Sequence, residues 1–381
     1  MKKSLFVTGM SRSGTTLLQK MLDAHPTMEI LPQPFPFVFR QVKKDFFEFK
    51  GISPSRYVLH DLFNETRYSS MEFADFIKDY SMSQPKLRDV FDEMKDWSGQ
   101  QVKPKNLEFL TRTSQGTGFE KIYAGLLQGM KSSNKAGIIG SKEILTEEFV
   151  GYMLSKQVKV ILIYRDPRDV LTSINFGKGT HYVGDYRPTL FHLRNWRKSV
   201  AIRNTFLSNP NFLSFSYEKL TNDHDSVLEE VCRFLEIDNF PDSGLFGSKI
   251  PVVDGQWQGN SSQDSKSGVN ESSVGRYRQL LPTDMIRYTE YICYPEMKSL
   301  GYSIDEEILD QNYNPSSFKE PFEIDSELSD IASDFSMSDS QLGLEKERFR
   351  LLSQLDSTQK ETERFFYSIE NYATLSQSLR Q

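Results

Sequence analysis

The sequence predicts an α/β fold: a doubly wound parallel sheet flanked by helices, with a helical extension at the carboxyl end. Three observations carry that prediction. The first 25 residues read as strand, glycine-bearing turn and helix; short apolar runs then alternate with segments of helical period; and beyond Gly301-Tyr302 the chain turns acidic and finally amphipathic.

Ser4–Thr8 is apolar and β-branched and ends at Gly9, the pattern of a short buried strand. From Thr15 to Ala24, Leu17, Leu18, Met21 and Leu22 recur at helical spacing, and His25-Pro26 closes the helix. Residues from about 30 to 134 are irregular and rich in aromatics, and are expected as helices and loops inserted over the sheet. Strands are expected at Ala136–Gly140 and at Val158–Tyr164, the latter apolar enough to be buried on both faces. The loop Arg165–Asp169 leads into a helix over Val170–Phe176. Leu190, Leu193, Trp196, Val200 and Leu207 form a helical stripe, Phe212–Tyr217 a further strand, and Val227, Leu228, Val231, Phe234 and Leu235 another helix.

The expected organisation is a domain over 1–303, an acidic linker over 304–340 and one amphipathic helix over 341–381. Residues 321–340 hold six acidic side chains and no Lys or Arg, the composition of a solvated linker. Beyond it Leu344, Leu351, Leu355, Phe365, Ile369, Tyr372 and Leu379 share one face, broken at Thr358 and Thr362. That helix either packs back on the domain or pairs with another chain as a homo-oligomer.

A formal net charge of −6 argues against nucleic-acid binding. Cys232 and Cys293 lie 61 positions apart without metal-type spacing, and are expected as reduced thiols. No apolar run reaches the roughly 18 residues of a membrane span, and the chain's start runs directly into a glycine loop. A cytoplasmic protein is the expectation.

Gly9-Met10-Ser11-Arg12-Ser13-Gly14-Thr15-Thr16 joins a strand to a helix N-terminus, where unpaired N–H groups and the helix dipole favour anions. It is P-loop-like, but Thr15 stands where G-x4-G-K-[ST] has its lysine. Arg12, Ser13, Thr15 and Thr16 add donors.

Here the chain resembles the PAPS-dependent sulfotransferases, in particular the bacterial and tyrosylprotein branches. Arg12-Ser13-Gly14-Thr15-Thr16-Leu17-Leu18 and Asp23-Ala24-His25-Pro26 match the first signature of that family. Arg165 and, eight residues on, Ser173 match the second, with Asp166–Thr172 between them. Tyr217-Glu218-Lys219-Leu220 and Ser273-Val274-Gly275-Arg276-Tyr277-Arg278 follow in the family's order.

The resemblance implies a P-loop-like sheet that binds PAPS and releases PAP, with no metal required. It implies that Arg12 neutralises the 5′-phosphosulfate, with Ser13, Gly14, Thr15, Thr16 and Leu17 around the phosphate, and that Arg165 and Ser173 hold the 3′-phosphate. It places Tyr217 near the adenine and Ser273, Gly275 and Arg276 in a loop over the 3′-phosphate. Lys142 aligns with a lysine beside the transferred group. For the general base, Gln33 stands near a family glutamate and cannot take a proton usefully. Glu143, 22 positions before Arg165, is the first choice, followed by Glu29 and His181, while His25 reads as a helix-ending structural residue.

The expected acceptor is a small molecule, a lipid or a carrier-bound chain, bound against apolar walls from Pro32–Phe39 and Asp45–Phe49. Two other readings stay open from the residues: a non-catalytic PAP-binding protein and a P-loop nucleotide kinase.

Overall fold

The computed structural model describes residues 4–51, 70–98, 116–130, 137–176, 186–241, 273–305, 313–324, 335–354 and 359–380. In chain order the elements are β1 (Ser4–Gly9), α1 (Thr15–Asp23), β2 (Met28–Pro32), α2 (Pro36–Phe49), α3 (Ser70–Asp79), β3 (Ser81–Met82), α4 (Gln84–Ser98), β4 (Thr117–Gly118) and α5 (Phe119–Met130). There follow β5 (Ile138–Ile144), α6 (Val150–Ser155), β6 (Lys159–Tyr164), α7 (Pro167–Asn175), α8 (Thr189–Phe206), β7 (Phe212–Ser216), α9 (Tyr217–Asn222) and α10 (His224–Leu235). The last described elements are α11 (Tyr277–Leu280), α12 (Thr283–Ser299), α13 (Asp339–Ser353), α14 (Gln359–Phe366) and α15 (Ile369–Arg380).

The central sheet has the order β2-β5-β1-β6-β7, and every pairing in it is parallel. β1 therefore lies between β5 and β6, and the chain departs to opposite sides of it. A parallel sheet opens a crevice at the carboxyl ends of its strands where the strand order reverses, so the loop after β1 stands at that crevice.

Alternation along β1 divides the core. Leu5 and Val7 face Leu18, Met21 and Leu22 of α1 and Val227 and Val231 of α10. Phe6 faces the other way, into an aromatic cluster of Phe35, Phe39, Phe73, Phe119, Tyr123 and Phe149. A third cluster, around Trp196, Leu171, Tyr288, Ile292 and Phe335, joins α7, α8 and α12.

Several elements depart from expectation for physical reasons. The strand expected at Ala136–Gly140 runs instead from Ile138 to Ile144. Its polar run Ser141-Lys142-Glu143 is carried by the ladders to β1 and β2, and the Ser141 hydroxyl is satisfied by the Tyr123 hydroxyl at 2.9 Å. β2 was not anticipated, because Glu29 and Pro32 break its apolar pattern. Tyr217 opens a helix rather than ending a strand: Ser216 caps it by accepting the Lys219 N–H at 3.0 Å.

Among the described residues, the presumed acidic linker is packed. Phe318 stacks on Tyr288 with centroids 4.1 Å apart, and Phe335 is buried against Phe191 at 5.0 Å. Its aromatic residues outweigh its charge count. The carboxyl-terminal helix is three helices, α13–α15, and its apolar face is used within the chain: Leu351, Leu352, Phe366 and Leu375 form their own cluster, and α15 packs on α12 and α8. Phe35, Phe39, Phe46 and Phe47, expected as acceptor walls, are core. Cys232 and Cys293 are buried free thiols. No helix of the described residues is long and apolar enough to cross a membrane.

Phe39 is 1% exposed and meets the rings of Phe6, Phe119, Tyr123 and Phe149. Phe39→Ala is expected to lower the unfolding free energy by about 3–5 kcal/mol in urea titrations. A loss below about 1 kcal/mol would show that this cluster does not hold α2 to the sheet.

Candidate functional site

The loop after β1 is shaped by two close approaches. A Cβ at Gly9 would run into the carbonyl oxygen of Ile163 on β6, and one at Gly14 into the ring of Tyr217. The chain turns through left-handed backbone at Arg12 (φ 70°) and Gly14 (φ 92°). The first hydrogen bond of α1 runs from Leu18 N–H to the Gly14 carbonyl at 3.0 Å. The N–H groups of Thr15, Thr16 and Leu17 thus have no intrahelical acceptor and lie at the positive end of the helix dipole. Ser13 and Thr15 are buried, while Thr16 and Leu17 are half-buried.

Around this loop the structure gathers side chains from distant segments. Arg12 Nε donates to Ser173 Oγ at 3.0 Å. Arg165, just past the end of β6, donates through Nη1 to the Arg12 carbonyl at 3.2 Å and through Nη2 to the Ser273 carbonyl. Its guanidinium lies 4.4 Å over the Tyr217 ring and 3.9 Å from Asp169. α7 begins directly after Arg165 because Asp166 caps it, accepting the Arg168 N–H at 2.9 Å, and the helix then brings Ser173 back to the loop.

The turn from Ser273 to Tyr277 is pinned by Asp169, whose carboxylate accepts the Gly275 N–H at 2.6 Å and the Tyr277 N–H at 3.0 Å. Burial raises the Asp169 pKa, and Arg165 pulls the other way. Gly275 takes a left-handed φ of 72°, and Arg276, half-buried, is the N-cap of α11.

Arg12, Ser13, Gly14, Thr15, Arg165, Ser173, Tyr217, Ser273 and Gly275 thus meet in one place. That place fits an anion. The Ser13 hydroxyl and Arg165 Nε are buried without a hydrogen-bond partner, and the guanidinium groups of Arg12 and Arg165 converge there. Among the described residues no group of three or more His, Cys, Asp or Glu is placed to hold a metal ion.

Lys142 and Glu143 are consecutive in β5 and so point to opposite faces of the sheet. They lie inside the strand, not past its end as the sequence suggested. Glu143 is fully buried; its Oε1 accepts the Phe35 N–H at 3.0 Å and its Oε2 has no partner. Burial pushes its pKa up to about 8, against the pull of Lys142. Lys142 donates to Gln33 Oε1 at 3.4 Å, and burial lowers it to about 8.

Glu29 sits near the start of β2 opposite Ile139, at the edge of the sheet away from the strands' carboxyl ends. His25 is structural: Nε2 donates to the Asp238 carbonyl at 3.0 Å and Nδ1 accepts the Thr27 N–H at 3.2 Å. His181 lies outside the described residues. Sequence reasoning missed the role of Asp169, whose four-residue spacing from Arg165 was the available signal. It also missed Trp196, whose indole N–H donates to the Arg165 carbonyl at 2.8 Å.

Comparison with known proteins finds that the sulfotransferase family matches residues 4–242. Among solved structures, the sulfotransferase domain from the curacin biosynthetic pathway is 16% identical with a TM-score of 0.45, covering 80% of this chain and 99% of that one. The sulfotransferase domain of the Synechococcus PCC 7002 olefin synthase is 17% identical with a TM-score of 0.36, covering 88% and 94%. Retinol dehydratase in complex with retinol and PAP is 15% identical with a TM-score of 0.39, covering 80% and 83%. No curated protein matches the chain.

The Glu143 carboxyl binds its proton more tightly in the folded chain than at the ordinary value of 4.5, so its contribution to stability is full below that value and is lost as pH rises through about 8. Glu143→Gln, neutral throughout, is expected to flatten the decline in denaturant-measured stability between those limits. Equal slopes in the two proteins would contradict the raised value.

Proposed function

The chain belongs to the sulfotransferase family, and we propose that it draws its sulfuryl group from PAPS and passes it to a hydroxyl or amine of a small-molecule, lipid or carrier-bound acceptor. The observation that carries the choice of donor is the pairing of Arg12 with Ser173 and of Arg165 with the Arg12 carbonyl. It sets two cationic anchors side by side, as a nucleotide with a 5′-phosphosulfate and a separate 3′-phosphate requires.

In this reading Thr15, Thr16 and the N–H groups of the first turn of α1 hold the 5′-phosphate, and Arg12 offsets the charge that grows on the leaving phosphate oxygen. Arg165 and Ser173 take the 3′-phosphate. The Ser273–Arg276 turn covers it, and Tyr217 borders the base. Positioning and charge stabilisation supply most of the rate in such in-line transfers.

Glu143 is the proposed general base. Its carboxylate takes the acceptor proton as the new bond to sulfur forms and the bond from sulfur to the phosphate oxygen breaks, releasing PAP. The Phe35 N–H anchors one oxygen and leaves the other for that proton. Lys142, on the opposite face of β5, acts on Glu143 through its charge, and in this reading it stands beside the transferred group. The lack of a loop lysine, with Thr15 in its place, and Arg165 rather than an aspartate after β6 weigh against a kinase. Two buried free thiols support a reducing, cytoplasmic setting.

Calorimetric titration with PAP tests the donor half: Arg12→Ala and Arg165→Ala are expected to abolish binding, and Glu143→Gln to keep it. The same glutamine variant is expected to turn over at least about a hundredfold more slowly, and wild-type kcat to rise with pH through about 8 as the carboxyl ionises. Normal turnover by Glu143→Gln would remove it as the base. Radiolabelled transfer from PAPS into an extract of the producing cells, read by product mass, identifies the acceptor.

A further inference from the structure

α8 is an 18-residue helix, and residues beyond 313, outside the family match of 4–242, contact it from end to end. At its first turn Glu320 accepts the Thr189 N–H and hydroxyl, both at 2.7 Å. At its middle the buried Glu345 of α13 accepts from Arg194 Nη2 at 2.9 Å and Arg197 Nη1 at 2.5 Å. Near its end Asn204 Nδ2 donates to Asn371 Oδ1 at 2.9 Å, and the Thr205 and Ser368 hydroxyls pair at 2.7 Å. Burial alone would raise the Glu345 pKa, but Arg197 and Arg194 hold it at about 2, so this carboxylate stays ionised across the working pH range.

Other faces of α8 look to the sheet. Lys198 donates to Glu148 Oε1 at 2.6 Å, and Trp196, 1% exposed, donates its indole N–H to the Arg165 carbonyl at 2.8 Å. A close-packed interior has low compressibility and transmits strain along the elements packed in it. The contacts that set the rotation and axial position of α8 therefore also set where the Trp196 N–H meets the backbone of Arg165, one residue before the α7 cap.

We infer that Trp196 is a positioning residue for the donor site, and that the carboxyl-terminal helices, through Glu345, set the grip of Arg165 on the nucleotide's 3′-phosphate. This rests on the assignment of Arg165 to that phosphate. The chain's extension thereby tunes donor affinity without touching the donor.

The test is calorimetric titration of PAP and of adenosine 5′-phosphate, which lacks the 3′-phosphate, into the full-length wild type, Trp196→Phe, and a triple variant, Arg194→Met with Arg197→Met and Glu345→Gln. The triple variant leaves no unpaired buried charge in that trio. Wild type should prefer PAP, and each variant should lose about fivefold of that preference with its affinity for adenosine 5′-phosphate unchanged. Trp196→Phe removes one N–H and little volume, so it decides the matter if the triple variant does not fold. Variants that keep the wild-type preference, or that lose both ligands equally, overturn the inference. A wild type with no preference for PAP overturns the Arg165 assignment first, and the inference with it.

Discussion

The fold turns on a cross-link at the carboxyl edge of the sheet between the loop after β1 and the unit of Arg165 and α7: Arg12 reaches Ser173, and Arg165 reaches back to the Arg12 carbonyl. Two guanidinium groups are thereby held near one another, with Asp169 3.9 Å from Arg165 and the Glu218 carboxylate also within its field, an arrangement in which a bound anion would ease their repulsion. Much of the neighbourhood exists to keep them there. Gly9 and Gly14 let the backbone pass against Ile163 and Tyr217, the Tyr217 ring lies under Arg165, and Asp169 ties the 273–277 turn to α7.

Across the crevice the chemistry changes sign. Glu143 is buried among aromatic side chains with a single N–H for company, which raises its proton affinity toward the range where a base is useful. Lys142 is its neighbour in sequence but not on its face of the sheet. A buried carboxylate with one anchored oxygen is a poor contributor to stability and a good candidate for proton transfer.

The clustering of Arg12, Arg165 and Ser173 around the loop after β1 was legible in the sequence because its signals are local: a glycine turn between a strand and a helix, and an arginine and serine eight residues apart on one loop-helix unit. β2 and the end of β5 were not, since Glu29, Pro32 and the run Ser141-Lys142-Glu143 look like surface until the neighbouring strands supply their partners. Trp196 read simply as a core residue on an apolar stripe; only the three-dimensional neighbour, a carbonyl 31 positions away, gives its N–H a role. The acidic count over 321–340 concealed the rings of Phe322 and Phe335, and four-three spacing in the last segment did not show where α13, α14 and α15 separate.

The central claim is that one edge of the sheet carries both phosphates of a single nucleotide. Its most direct test is a crystal structure of the protein with PAP. The account predicts the 5′-phosphate within hydrogen-bonding distance of the N–H groups of Thr15, Thr16 and Leu17, and the 3′-phosphate on Arg165 and Ser173. A nucleotide bound with its 3′-phosphate in solvent, or bound away from the loop after β1, would contradict it.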